Sequence, residues 1–215
     1  MAARSEMPRP IRGVLAPDLK RKAEPKWGKP TSLFNGKDLS GWRPSDPNAT
    51  ATWKVENGTL VSPGHGPELI TDAKFENFKL HVEFNCAPKS NSGIYLRGRY
   101  EVQIEDDPVP EGPTMRTGGV YGFLAASPEQ PRRPGEWQTY DITLVGRVVT
   151  VVQNGQTIID REEIPGITGG ALLFGAAQDV QEDFVVTWSV THRIVETPEF
   201  VACPKQKEYS IERGE

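Results

Sequence analysis

The stretch Asn91-Ser-Gly-Ile-Tyr-Leu-Arg-Gly-Arg-Tyr-Glu-Val-Gln-Ile-Glu-Asp-Asp107 holds the densest set of side chains able to grip or transform a polar ligand. Read as two extended segments, Ile94 and Leu96 point one way and Tyr95 and Arg97 the other; likewise Val102 and Ile104 oppose Glu101, Gln103 and Glu105. If the segments pair, Tyr95, Arg97, Glu101 and Gln103 share one polar face. A phenol, a guanidinium, a carboxylate and a carboxamide on a rigid sheet suit a polyhydroxylated ring, because each hydroxyl donates and accepts and planar groups grip two at once. The bland alternative is a surface Arg and Glu pair worth at most about 1 kcal/mol, and spacing alone does not separate the two.

Two glycine-flanked loops add candidates. Thr117-Gly-Gly-Val-Tyr121 offers Tyr121, and Pro134-Gly-Glu-Trp137 offers Glu136 and Trp137. Trp137 could stack on the apolar face of a sugar ring, or sit in the core with its polar tip near the surface. Glu136 with Glu101 would make an acid and base pair if their environments pushed the two pKa values apart. Other chemistries lack their patterns. His65, His81 and His192 have no zinc-site spacing, and there is no H-E-x-x-H, G-x-S-x-G or phosphate-loop motif. Glu105, Asp106 and Asp107 could hold a hard metal, but three acids before a proline read as a solvated turn.

Composition narrows the class. The chain has 215 residues, 29 Asp and Glu against 25 Lys and Arg, and a net charge of −4. That balance gives no electrostatic reason to expect nucleic acid or an anionic membrane as partner, and no apolar run is long enough for a membrane helix. Cys86 and Cys203 read as two inert thiols, although one bridge between them stays open. Residues 1–30 begin with charge and carry no apolar leader core, so no signal peptide is read in this chain.

The elements that must position these groups read as strands. Gly (21) and Pro (19) are abundant, and no segment sustains a helical apolar repeat over three turns. Asn57-Gly58 and Asn154-Gly155, the latter flanked on both sides by β-branched residues, predict tight two-residue hairpins. Leu80, Val82 and Phe84 alternate with His81, Glu83 and Asn85; Tyr140, Ile142 and Leu144 alternate with Thr139, Asp141 and Thr143. The expected fold is all-β, an antiparallel sandwich over residues 31–195. A Pro-rich, basic arm at 1–30 precedes it, and an irregular tail at 196–215 follows. Val185-Val-Thr-Trp-Ser-Val190 has the composition of a closing strand.

With these residues in view, the chain resembles the 3-keto-disaccharide hydrolase family, whose fold is a concanavalin A-like lectin and glucanase jelly roll. The matching pieces run in order. They are Ser32-Leu-Phe-Asn-Gly-Lys-Asp-Leu-Ser-Gly-Trp42, Trp53-Lys-Val-Glu-Asn-Gly-Thr-Leu60, Phe78-Lys-Leu-His-Val-Glu-Phe84, Asn91-Ser-Gly-Ile-Tyr-Leu-Arg97, Tyr100-Glu-Val-Gln-Ile104, Thr117-Gly-Gly-Val-Tyr121 and Pro134-Gly-Glu-Trp137. The resemblance implies a concave face that holds carbohydrate, with Arg97, Glu101, Gln103, Tyr121 and Glu136 at matching positions, and a periplasmic or secreted address. It also implies cleavage of glycosides already oxidised at C3, where the ketone acidifies the C2 proton so that a modest base can start an elimination at C1. Glu101 or Glu136 is the expected base, and Arg97 or a divalent cation stabilises the enolate. The family's closing Leu-Gln-x-His-Gly segment has no counterpart here, since Gly169-Gly-Ala-Leu-Leu-Phe-Gly-Ala-Ala-Gln178 carries no histidine.

Three readings follow. The first is an enzyme acting on an oxidised saccharide. The second is a lectin-like module that binds carbohydrate without turnover, which the missing histidine favours. The third is an interaction domain whose concave face is filled by side chains. The fold alone hosts all three. The first requires Arg97 and Glu101 to stand on one accessible surface.

Overall fold

The computed structural model describes residues 25–62, 66–106, 112–168, 187–189 and 210–214. Strands dominate it. In chain order they are β1 (Thr31–Ser32), β2 (Trp42–Pro44), β3 (Lys54–Glu56), β4 (Thr59–Val61), β5 (Leu69–Thr71), β6 (Asn77–Phe84), β7 (Asn91–Leu96), β8 (Tyr100–Glu105), β9 (Gln138–Val145), β10 (Val148–Gln153), β11 (Gln156–Glu163), β12 (Thr187–Ser189) and β13 (Ser210–Gly214). One sheet has the order β1-β13-β6-β9-β10-β11 and a second β2-β5-β12-β7-β8, with β3 and β4 as a separate hairpin. Every pairing is antiparallel.

The two Asn-Gly turns form as their chemistry demands. Asn57 and Gly58 have φ of 51° and 82°, and Asn154 and Gly155 have 51° and 81°. A tight hairpin turn needs this left-handed pair, which Asn tolerates and Gly adopts freely. The motif near the start of the sandwich is also a turn device: the Asn35 side chain accepts from the Lys37 and Asp38 backbone and donates to the Asp38 carboxylate, and the Trp42 indole donates to Leu33. Hydrogen bonds to Asp38 from Ser40 first and then Asn35 hold its exposed carboxyl low, at about 2.

Alternation sets the core. Phe78, Leu80, Val82 and Phe84 on β6 and Tyr140, Ile142 and Leu144 on β9 face Ile94, Leu96, Val102 and Ile104 across the sandwich. Phe84 and Tyr140 stack with ring centroids 4.6 Å apart. Truncating one such aliphatic side chain to Ala would cost about 2–5 kcal/mol. The Tyr140 hydroxyl crosses the gap and donates to the Gln103 carbonyl at 2.8 Å, tying β9 to β8. Cys86 is buried, and burial pushes its thiol up to about 11, as expected of an inert cysteine. Cys203 lies outside the described residues.

The C-terminal segment departs from expectation. The tail at 196–215 is not irregular throughout, because Ser210–Gly214 pairs with Asn77–Leu80 of β6 as a strand of the larger sheet. The arm at 1–30 is docked at its end: Pro25 is buried, and the Lys79 ammonium lies 4.9 Å from the Trp27 ring centre. A short sequence window cannot reveal such pairings, because the partner strand supplies the ladder. Thr187–Ser189, inside the expected closing strand, joins β5 to β7.

Candidate functional site

β7 and β8 pair with Tyr95 opposite Glu101, Gly93 opposite Gln103 and Asn91 opposite Glu105. Directly opposed residues share a face, so Tyr95, Glu101, Gln103 and Glu105 lie together on the side of the sheet away from the core. The Tyr95 hydroxyl donates to Glu101 Oε2 at 2.8 Å. Gln103 Nε2 reaches Asn91 Oδ1 at 3.5 Å. The Glu101 carboxylate lies over Gly93: a methyl there would fall 2.2 Å from Glu101 Oε1 and 2.7 Å from its Cγ. Only glycine leaves that space, which explains the Asn-Ser-Gly sequence at the start of β7.

Burial then sets the chemistry. Glu101 is 7% exposed, and loss of water around its carboxylate lifts its pKa to about 7, against a smaller opposing effect of the Tyr95 hydrogen bond. Tyr95 is held well above its ordinary value by burial first, then by the Glu101 charge and hydrogen bond, with Glu68 and Tyr121 adding to it. A carboxylate poised near neutrality and oriented by a neutral phenol is suited to take a proton from carbon or oxygen.

The backbone of Glu101 is fixed from outside the hairpin. β8 is the edge of its sheet, and the segment 117–124 covers that edge: Tyr121 N–H donates to Glu101 C=O at 2.9 Å, Gln103 N–H to Gly119 C=O at 3.0 Å and Gly118 N–H to Gln103 C=O at 2.9 Å. Thr117 Oγ1 both accepts from Glu105 N–H and donates to Glu105 C=O. Thr168 Oγ1 accepts from Glu101 N–H at 2.9 Å and donates to Arg99 C=O at 3.0 Å. Gly119 permits the tight cover, since a methyl there would lie 2.8 Å from Leu124 O. An edge strand so sealed cannot recruit another chain, and its carboxylate is held firmly.

Three expected site residues lie elsewhere. Arg97 does not share the face of Glu101. β7 ends at Leu96, and Arg97 and Gly98 take φ of 56° and 61°, which breaks the alternation. The guanidinium is buried, lies 5.3 Å from the ring centre of Tyr100, an inward-facing residue, and donates to Gly146 C=O in the β9–β10 turn of the other sheet. Burial pulls its pKa down, and Tyr100 counters this. Arg97 is therefore a clasp between the sheets rather than a partner of Glu101. Glu136 is exposed and faces Arg133 at 3.5 Å. Its loop is fastened by Gly135 N–H to Cys86 C=O and by Asn85 Nδ2 to Gly135 C=O. That places it at the Glu105 end of β8, about 13 Å of strand from Glu101. Trp137, 37% exposed, belongs to the same loop.

Tyr121, by contrast, is brought to the site, half-buried beside Tyr95. Sequence reasoning missed Glu68, whose charge reaches Tyr95, and Thr168. Both lie outside the Asn91–Asp107 stretch. Among the described residues no group of three His, Cys, Asp or Glu side chains is arranged to hold a metal. His81 bonds Asp141 at 2.6 Å on the outer face of the larger sheet. His65, His192, Asp107 and Gly169–Gln178 lie outside the described residues.

Known proteins share this architecture. A crystal structure of a candidate glycosyl hydrolase from Parabacteroides distasonis ATCC 8503 superposes with a TM-score of 0.64 at 27% identity, covering 98% of this chain and 92% of that one. A second from the same organism, at 18% identity and a TM-score of 0.60, covers 85% of this chain and 89% of its own and shares the fold. A 3-keto-disaccharide hydrolase of Bacteroides thetaiotaomicron is 22% identical over 60% of this chain and 57% of its own length, so the chain spans little more than half of that relative. Residues 29–181, more than two-thirds of the sequence, match the profile of the 3-keto-alpha-glucoside-1,2-lyase-like domain. The order of motifs, the antiparallel sandwich and this match together place the chain in the 3-keto-alpha-glucoside-1,2-lyase-like domain family.

Proposed function

We propose that the chain cleaves glycosides bearing a ketone at C3 of the sugar, with Glu101 as the base. The ketone makes the C2 hydrogen acidic. Glu101 takes that proton, the C2–H electrons form an enolate with C3, and the enolate collapses to a C1–C2 double bond as the C1–O bond breaks. The departing oxygen gains a proton equivalent to the one Glu101 removed. Water adding at C1 would complete a net hydrolysis. The observation that supports this reading is the recessed Glu101 carboxylate, lifted to about 7 by burial and held by the Tyr95 hydroxyl. Arg97 is turned into the sandwich, so the requirement that it share a surface with Glu101 is not met; the reading drops Arg97 and rests on Glu101, with the Gln103 carboxamide and the Tyr121 phenol proposed as donors to the enolate oxygen.

Release of aglycone from a 3-keto-glucoside, but not from its unoxidised parent, tests the reading, together with exchange of the C2 hydrogen for solvent deuterium. Exchange without release would still support Glu101 as the base. Neither exchange nor release would remove it. The position of Arg97 favours a second reading, a carbohydrate-binding module without turnover, and equal binding of both sugars with no release would establish that one.

A further inference from the structure

Three asparagines in this chain precede a glycine: Asn35, Asn57 and Asn154. Such a pair carries a chemistry of its own. The glycine's backbone nitrogen, unshielded by any side chain, can attack the side-chain carbonyl carbon of the asparagine. A C–N bond forms, ammonia leaves, and the five-membered imide takes up water to give aspartate or isoaspartate. Water is the only co-reactant. In a folded protein the reaction needs a side-chain amide free to turn and a backbone free to leave the tight turn while the ring closes.

The structure separates the three sites on the first count. Asn35 Oδ1 accepts from the Lys37 and Asp38 N–H groups, and its Nδ2 donates to the Asp38 carboxylate at 2.7 Å. Asn154 Oδ1 accepts from Thr139 N–H at 2.9 Å, while Asn154 N–H donates to Thr139 C=O at 3.1 Å. Both amides are held. The Asn57 side chain is exposed and makes no hydrogen bond among the described residues.

The second count points the same way. Asn57 and Asn154 share a φ of 51°, followed by glycines at 82° and 81°, so turn geometry does not distinguish them. What lies behind each turn does. The Asn154 turn joins β10 to β11, and β10 pairs on its other side with β9 in the six-stranded sheet. The Asn57 turn joins β3 to β4 through three residue pairs, and that hairpin forms a two-stranded sheet by itself. A short hairpin with no further strand beside it opens at its tip more readily than one anchored in a large sheet.

We propose that Asn57 is a site of spontaneous covalent modification, converted through the Gly58 imide to aspartate and isoaspartate, and that tethered amides protect Asn35 and Asn154 from the same reaction. Each conversion adds one negative charge to a chain whose net charge is −4. Isoaspartate also routes the backbone through the side chain, and the added methylene does not suit a two-residue turn. The strain falls on the β3–β4 hairpin, which shares no ladder with either sheet.

Peptide mapping by mass spectrometry of the folded full chain, aged in mildly alkaline buffer, tests this. Isoaspartate is counted by the methyl esters that an isoaspartyl methyltransferase forms from S-adenosylmethionine. Asn57 is expected to react about tenfold or more faster than Asn35 and Asn154. In urea sufficient to unfold the chain, the three rates should converge to within about threefold, because each asparagine then keeps only its glycine neighbour. Equal rates in the folded chain, or faster loss of Asn35 or Asn154, would overturn the assignment. A preference for Asn57 that persisted undiminished in urea would overturn the protection, since local sequence would then set the rates.

Discussion

Glu101 and Glu136 are the same side chain in opposite circumstances. Glu101 is enclosed in a paired strand, over a glycine, with a phenol on its carboxylate and both backbone groups bonded to segments outside the hairpin. Glu136 stands in an exposed loop opposite an exposed arginine, an ion pair of the kind that contributes little. Both have a glycine and an aromatic residue within three positions along the chain, so that neighbourhood does not distinguish them. Desolvation is the difference, because only the carboxylate removed from water becomes a base of useful strength near neutral pH.

The largest test of this contrast is a pair of substitutions. Glu101→Gln should lower release from a 3-keto-glucoside by about 10²–10⁴-fold, the usual worth of a positioned base. Glu136→Gln should stay within about twofold, as for surface positions generally. Steady-state rates check both, and similar losses would erase the distinction. Next comes Gly93→Ala, whose methyl would meet the Glu101 carboxylate at 2.2 Å. It should cost about 1–3 kcal/mol of stability in urea melts, with a large fall in rate, because the carboxylate must swing aside.

Acidity gives a test with a definite sign. Glu101 titrates at about 7 when folded against an ordinary 4.5. Release should therefore rise between pH 6 and 8 with a midpoint near 7, as the base loses its proton. Stability runs the other way. Below pH 4.5 the carboxyl is neutral in both states; between 4.5 and 7 the unfolded carboxyl ionises while the buried one stays protonated, so stability falls across that window and levels off above 7. Glu101→Gln, neutral throughout, should be the more stable protein at pH 8 by up to about 3 kcal/mol, and equal in stability at pH 4. The smallest effect is Thr168→Val. It leaves Glu101 N–H and Arg99 C=O without their hydroxyl partner, so a several-fold loss of rate and about 1–3 kcal/mol of stability are expected, with Thr168→Ser restoring most of both.

Part of the site was legible in advance. Pairing of the two alternating segments puts Tyr95, Glu101 and Gln103 on one face by strand geometry alone, and the structure has them there. Arg97 was misplaced by the same logic. Alternation predicts a face only while the backbone stays extended, and the left-handed φ at Arg97 and Gly98 ended it one residue too early. The Arg-Gly-Arg sequence was the available sign, since glycine beside charged residues marks a turn. Glu68 and Thr168 left no sign, because they reach Glu101's surroundings from 33 and 67 positions away along the chain.

The sequence by itself determined the class of fold, the two Asn-Gly hairpins and the face of each long strand, because turn chemistry and two-residue periodicity are properties of neighbouring residues. Tertiary structure alone decided which carboxylate lost its water, where Arg97 turned, and that Ser210–Gly214 would complete a sheet. Burial and strand partnership depend on segments distant in the chain, and solvation, which sets acidity, is fixed only when those segments meet.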